Sequence, residues 1–258
     1  MLVPIFHHYP QSPIAEKIRM TFGIMGLEWY SVQIPRIPPK PLLTPITGGY
    51  RRTPVLQVGA DIFCDSQCIA FQLGKLKSKK VAYDSSNRAL ELILGSFGEN
   101  ILFKLTVRIV LTTSMGVAPE DFIKDRSSLY FEPGWTVEEM QNSLPSVLLQ
   151  LQSAFELINH HLTSHGPYMN GNNPSYADAV IQHCVWFLCG RWDRGDSFVA
   201  PFKALIKHRD LITQMGHGSF IDCAPEEALQ IAKNHISTAP SGINCAYTGK
   251  LKIGERVR

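Results

Sequence analysis

The stretch that most constrains the fold is Tyr50-Arg51-Arg52-Thr53-Pro54-Val55-Leu56-Gln57-Val58. Pro54 has no amide hydrogen and cannot serve a central strand. It must stand at a strand's first position or along an edge, where a cis bond is affordable for proline alone. Val55, directly after it, is then expected to keep an amide and a carbonyl free for the backbone of a ligand. A second apolar run over 62–64 leads into Asp65-Ser66, an acid and a hydroxyl placed to cap a helix over 67–73. The unpaired amides at such a helix start attract anions.

Around this stretch the sequence predicts strand-helix-strand and then strand-strand-helix. Residues 2–6 read as a buried first strand that stops at an exit loop, His7-His8-Tyr9-Pro10, whose histidines are expected to be partly exposed. Ser12 and Pro13 suit the cap and first position of a helix, along which Ile14, Ile18, Thr21, Phe22 and Met25 recur at helical spacing until Gly26. Residues 28–34 alternate as a second strand. Pro35, Pro38, Pro39, Pro41 and Pro45 exclude regular helix, so the passage up to Gly48-Gly49 is expected to cover a site or a subunit boundary.

After Lys75-Leu76-Lys77-Ser78-Lys79-Lys80, read as a solvated linker, the pattern changes to long helices over 87–115 and 142–162. Pro133-Gly134-Trp135 interrupts it, and Pro145 is assigned to the opening turn of the second of these helices. Shorter helices are expected over 175–188, 201–215 and 225–236. The domains predicted are 1–78, a linker at 79–86, a helical part at 87–236, and a tail at 237–258 packed as an extended strip on the body.

A chain of 258 residues can hold two ordinary domains, and an apolar fraction of 45% with 18% charged residues supports a packed core. The formal charge of +3, carried by scattered basic residues, argues against a nucleic-acid partner. Six cysteines without a Cys-x-x-Cys pair suggest reduced thiols, with neither a dithiol redox motif nor a zinc site. No run approaches the roughly 20 apolar residues of a membrane span, and no leader is visible, so a cytoplasmic location is expected.

Thr53-Pro54-Val55-Leu56 with Asp65-Ser66, preceded by Ser12-Pro13-Ile14-Ala15-Glu16-Lys17-Ile18-Arg19, resembles the thioredoxin-like domain of glutathione transferases. Asn173-Pro174-Ser175-Tyr176-Ala177-Asp178-Ala179 resembles the capping-box segment of their second domain, and the resemblance runs over residues 1–235. It implies an α/β thioredoxin-like N-terminal domain followed by an all-α helical bundle. It also implies a homodimer for detoxification, with reduced glutathione as co-substrate, no metal, and a small hydrophobic electrophile as acceptor.

Residue by residue, the resemblance makes Ser12 the hydroxyl that stabilises the glutathione thiolate, with Tyr9 as its rival and His7 and His8 as further candidates. Ser12 is equally suited to capping the helix it precedes. The peptide part of glutathione pairs with Val55 beside Thr53 and a cis Pro54. Asp65 and Ser66 take the γ-glutamyl ammonium and carboxylate, and Lys40 and Arg52 the glycine carboxylate. Arg51 and Arg52 are alternatively directed at a partner subunit or solvent. Phe97, Phe103 and Met115 suggest an apolar acceptor pocket, whereas Trp186, Phe187 and Trp192 read as core. Serine at position 12, where other classes carry cysteine, favours conjugation, isomerisation or displacement over thiol transfer, and Cys64 and Cys68 do not replace that cysteine. Ser175 and Asp178 form a structural capping box. The alternative to an enzyme is a non-catalytic binding or assembly module of the same fold.

Overall fold

The computed structural model describes residues 2–76 and 88–238; the linker at 79–86 and all but the first two residues of the 237–258 tail lie outside them. The first strand, β1 (Ile5–His8), is followed by α1 (Pro13–Met25), β2 (Glu28–Gln33), a short 3-10 turn over Thr44–Ile46, β3 (Val55–Val58), β4 (Asp61–Cys64) and α2 (Ser66–Leu76). Helical structure then takes over: α3 (Arg88–Phe97), a π turn over Gly98–Leu102, α4 (Phe103–Ser114), α5 (Glu120–Tyr130), α6 (Val137–His165), α7 (Tyr176–Arg191), α8 (Gly195–Val199) and α9 (Lys203–Met215). A last strand, β5 (Ser219–Asp222), and a last helix, α10 (Pro225–Asn234), complete the described chain. The architecture is the one implied by the resemblance, an N-terminal sheet with helices and then a mostly helical region.

Alternation along the strands divides the side chains between two faces. Phe6 and Leu56 pack with Ile18, Phe22, Ile69 and Leu73 of α1 and α2, while Ile5, Val32 and Val55 turn to the other face, toward Cys223 and Ala228. Gln57 ties that second face to α10 by donating from Nε2 to the Ala228 carbonyl at 2.8 Å. A separate cluster around Phe155, Ile181 and Leu205 fills the helical region.

The strands are ordered β4-β3-β1-β2-β5, with β1 parallel to β2 and antiparallel to β3. Pro54 therefore precedes an interior strand and takes the first of the two places open to it, not an edge; its bond to Thr53 is cis. The first strand also runs further than expected. His7 and His8 belong to β1 and are buried at 3% and 5% exposure, which corrects their reading as partly exposed loop residues. Each can be buried because a distant side chain meets its ring. His7 Nε2 donates to Gln57 Oε1 at 2.9 Å, and His8 Nε2 lies 3.2 Å from Ser31 Oγ.

The strand β5 lies in the region read as helical. It pairs in parallel with β2, with Phe220 4.7 Å from the Trp29 ring and the Trp29 indole donating to the His217 carbonyl at 2.7 Å. Pro145 is a further correction. A capping box between Thr136 and Glu139 starts α6 at Val137, so the proline stands inside the helix and not in its opening turn. The carbonyl it leaves unbonded, four residues back at Gln141, is on an exposed residue where water can serve it. At the tail's start, Ser237 and Thr238 bond the Asp61 carboxylate.

Asp178 is fully buried and fixes the start of α7. Its Oδ2 accepts the Ser175 amide at 2.7 Å, and its Oδ1 accepts the Met169 amide at 2.7 Å and lies 2.9 Å from His208 Nε2. Replacing it strands two buried amides as well as a cap, so Asp178→Ala is expected to cost about 3 kcal/mol or more, above the ~1 kcal/mol of an ordinary cap. Urea denaturation measures this, and a loss below about 1 kcal/mol would mean that the amides find other partners.

Candidate functional site

The site begins at the turn between β1 and α1. Arg19, one helical turn and more into α1, is buried, and all five of its N–H groups are used. Nε and Nη2 donate to Glu16 Oε2 at 2.8 and 2.5 Å, Nη2 also to the Pro10 carbonyl at 2.7 Å, and Nη1 to the Tyr9 carbonyl at 3.3 Å and to His8 Nδ1 at 2.9 Å. Because Arg19 can only donate, His8 Nδ1 must be an acceptor, which places its proton on Nε2 toward Ser31. Burial, reinforced by the Arg19 charge, lowers the His8 pKa to about 3 and keeps that arrangement neutral. Glu16 uses its other oxygen, Oε1, for His217 Nε2 at 2.8 Å. This network fixes the backbone that carries Tyr9 and Ser12.

Ser12 is buried and caps α1, its Oγ accepting the Ala15 amide at 3.2 Å. A hydroxyl has two lone pairs and one hydrogen, so capping leaves the hydrogen available to a further acceptor. The rival Tyr9 likewise accepts, its hydroxyl oxygen taking a hydrogen from Arg126 Nη2 of α5 at 3.1 Å, which leaves its own hydrogen available too. The two histidines of β1 point their polarity at the network and at Gln57, and neither lines the cleft described below.

On the opposite side, Thr53 Oγ1 accepts from Lys40 Nζ at 2.7 Å, and Lys40 also reaches the Arg51 carbonyl at 3.2 Å. Burial, together with the charges of Arg126 and Arg51, lowers the Lys40 pKa to about 8. Asp65 adopts φ +74°, in the left-handed region that an aspartate tolerates better than most residues, and its Oδ1 accepts the Gln67 and Cys68 amides at 2.9 and 3.2 Å. Ser66 Oγ donates to Glu99 Oε1 at 2.7 Å.

Glu99 is a site residue that the sequence reading missed. It comes from the π turn, and its carboxylate is paired with the ammonium of Lys17, a fully buried residue of α1. Burial opposes ionisation of Glu99, but the charge of Lys17 and the hydrogen bonds from Lys17, Ser66 and Gln67 outweigh it and hold the carboxyl below its ordinary pKa. The turn requires glycine at 98, where a Cβ would stand 2.0 Å from Val180 Cγ1. Gly98-Glu99, a flexible residue and an acid inside an otherwise apolar helical run, was the available signal.

These groups surround one cleft of about 730 Å³. It is lined by Tyr9, Ser12, Lys40, Arg52, Thr53, Pro54, Asp65, Ser66 and Glu99, with Phe103, Val107, Val110 and Leu111 of α4, Phe122 and Tyr130 of α5, and Phe187 of α7 on the other wall. Val55 is buried behind Pro54 and stands in register between His7 of β1 and Cys64 of β4, which corrects the expectation that its amide and carbonyl stay free for a ligand, and it does not line the cleft. Of the aromatic and methionine residues read as an acceptor pocket, only Phe103 lines it; Phe97 packs against the helical core, and Met115 ends α4 outside the lining. Phe187, read as core, lines it. Arg51, partly exposed, pairs with Asp125 of α5 at 2.5 Å.

Breaking the pair beneath the cleft is expected to be costly. Glu99→Ala leaves the Lys17 ammonium buried and unpaired, a loss of about 3–5 kcal/mol. The double variant Lys17→Met with Glu99→Gln, which removes both charges, is expected to recover most of it. Chemical denaturation of the two variants checks this, and a single substitution costing under about 1 kcal/mol would show that water reaches Lys17.

A family model described as glutathione S-transferase, N-terminal domain, matches residues 6–80. A GST-like protein from Pseudomonas syringae is 33% identical over 93% of this chain and 77% of its own, with a TM-score of 0.73. Poplar glutathione transferase F1 shares the fold at 13% identity, with 91% of this chain and 100% of that chain covered and a TM-score of 0.62. A glutathione transferase family member from Pseudomonas fluorescens, solved with two glutathione bound, covers 82% of this chain and 87% of its own at 11% identity and a TM-score of 0.60. No curated protein matches the sequence. The motifs around Ser12, Pro54 and Asp65-Ser66, the order of the sheet and the likeness to the Pseudomonas syringae protein place this chain in the glutathione S-transferase family.

Proposed function

We propose that the cleft binds reduced glutathione and ionises its thiol for attack on a hydrophobic electrophile. The observation that carries this reading is the convergence of Ser12, Pro54 and Asp65-Ser66 on one cleft whose facing wall is apolar. The Ser66 amide at the start of α2, and the Ser66 hydroxyl once its hydrogen turns from Glu99 to the ligand, suit the γ-glutamyl carboxylate, and Asp65 with the ionised Glu99 suits its ammonium. Lys40 and Arg52 answer the glycine carboxylate, and the backbone at Thr53 and Pro54, ahead of the paired Val55, lies along the peptide. The solved relatives from Pseudomonas fluorescens and Methylobacillus flagellatus hold glutathione, which supports this assignment.

In the reaction the thiol loses its proton to water or buffer, and the Ser12 hydroxyl donates a hydrogen bond to the resulting sulfur anion. Sulfur then forms a bond to the electrophilic carbon, and the leaving group departs with the electron pair it shared with that carbon. The α4 wall excludes water from the acceptor. We assign the enzyme to the homodimers of its family, for which Leu90, Ile93 and Ile101 supply exposed apolar surface, and to the cytoplasm. Among the described residues no helix is long and apolar enough to cross a membrane. The division into domains at 79–86 belongs to the same reading.

The ultraviolet thiolate band of bound glutathione, followed against pH, tests the chemistry. Bound thiol is expected to ionise at least about one unit below the ~8.5 of a free thiol. Ser12→Ala should return it toward the free value and lower kcat/KM on the order of 100-fold, whereas Tyr9→Phe should leave the band in place. A wild-type protein that binds glutathione without shifting its thiol would instead be a binding module.

A further inference from the structure

The mouth of the cleft carries more positive charge than its own carboxylates can answer. Arg36 and Arg126 both lie over the Phe122 ring, their guanidinium carbons 4.3 and 5.1 Å from its centre. Arg126 is held in place by Asp125 Oδ2 at 2.6 Å, by the Tyr9 hydroxyl, and by the Arg36 carbonyl. Arg51 takes the other oxygen of Asp125, so one carboxylate serves two guanidiniums. Among the described residues Arg36, Lys40 and Arg52 have no carboxylate at ion-pair distance, and Glu132, which also lines this side, is exposed and pairs with none of them. Burial first, and then the charges of Arg126 and Arg51, lower the Lys40 pKa to about 8.

Glutathione accounts for only part of this surplus. Its glycine carboxylate falls to Lys40 and Arg52, on the side of Thr53. Arg126, whose charge is also felt at Lys40, and Arg36 are seated on Phe122 of α5, which lines the cleft together with the apolar wall. Arg126 still has its Nε hydrogen and one Nη1 hydrogen unbonded to protein. A guanidinium fixed in this way binds a planar anion without first losing side-chain freedom.

Resting on the glutathione-transferase reading, we propose that the acceptor is an aromatic electrophile bearing a carboxylate or a similar anionic group. Its ring lies against the α4 wall, and its anion takes the free Nε and Nη1 hydrogens of Arg126, with the charge of Arg36 beside it. The bulk apolar character of the pocket selects the ring, and the two arginines select the charge.

A chloronitrobenzoate and the corresponding chloronitrobenzamide, which share the leaving chloride, test this. Sulfur replaces chlorine at the ring carbon and chloride leaves with the bonding pair in both cases. Each kcat/KM is divided by the uncatalysed rate of the same compound with glutathione, to remove the difference in intrinsic reactivity. The wild type should favour the benzoate about tenfold or more at low salt, the equivalent of one good charged contact. That ratio should fall several-fold in Arg36→Ala, in Arg126→Gln, and on raising the salt. Equal normalised efficiencies in the wild type, or a preference that survives both substitutions, would overturn the proposal. If neither compound is turned over, the transferase reading fails separately, and calorimetric titration of both compounds in the presence of glutathione decides the anion site. Benzoate-selective binding lost in Arg36→Ala upholds it, and binding without selectivity removes it.

Discussion

The buried ion pair between Lys17 and Glu99 is the interaction on which the site depends. Lys17 lies under the Tyr176 ring with its Nζ 5.6 Å from the ring centre, out of reach of solvent, and an isolated ammonium there would cost several kcal/mol. Glu99 offsets that cost from a π turn that brings it inward, and at Gly98 the turn comes so close to Val180 that a Cβ has no room. The same carboxylate then accepts from Ser66 at the start of α2. One contact therefore joins the first helix, the helical region and the anion-attracting end of α2. It also sets a negative charge beside a positive helix end, an arrangement complementary to a head group that carries both an ammonium and a carboxylate.

A second constraint acts on the other side of the cleft, through the backbone. Arg19 uses its guanidinium to hold the carbonyls of Tyr9 and Pro10, with Glu16 balancing its charge and a neutral His8 accepting its remaining hydrogen. Ser12 sits at the end of that fixed turn. Capping and thiolate stabilisation, which look like rival roles in the sequence, use different parts of the hydroxyl: a lone pair for the Ala15 amide and the hydrogen for an anion. The cap orients the group for the chemistry.

Features decided locally were legible in the sequence. Pro13 and Gly26 bound α1, and Asp65-Ser66 opens α2, because capping and proline placement depend on adjacent residues alone. Features decided by distant partners were not. His7 and His8 look like loop residues until Gln57 and Ser31 are placed beside them. Every residue of β5 is exposed, so no burial pattern marks it, and it exists because β2 and Trp29 receive it. The start of α6 was written as Thr136 and Glu139, but Pro133-Gly134 and Pro145 drew the reading past it. Glu99 was hidden because a π turn breaks the period from which a helical face is read.

Calorimetric titration of reduced glutathione into the wild-type protein and into Ser66→Ala tests the central claim most directly. The account predicts saturable one-site binding that Ser66→Ala weakens about tenfold or more, since it removes the hydroxyl whose hydrogen turns from Glu99 to the ligand carboxylate. Absence of binding at millimolar glutathione, or affinity indifferent to Ser66, would contradict it.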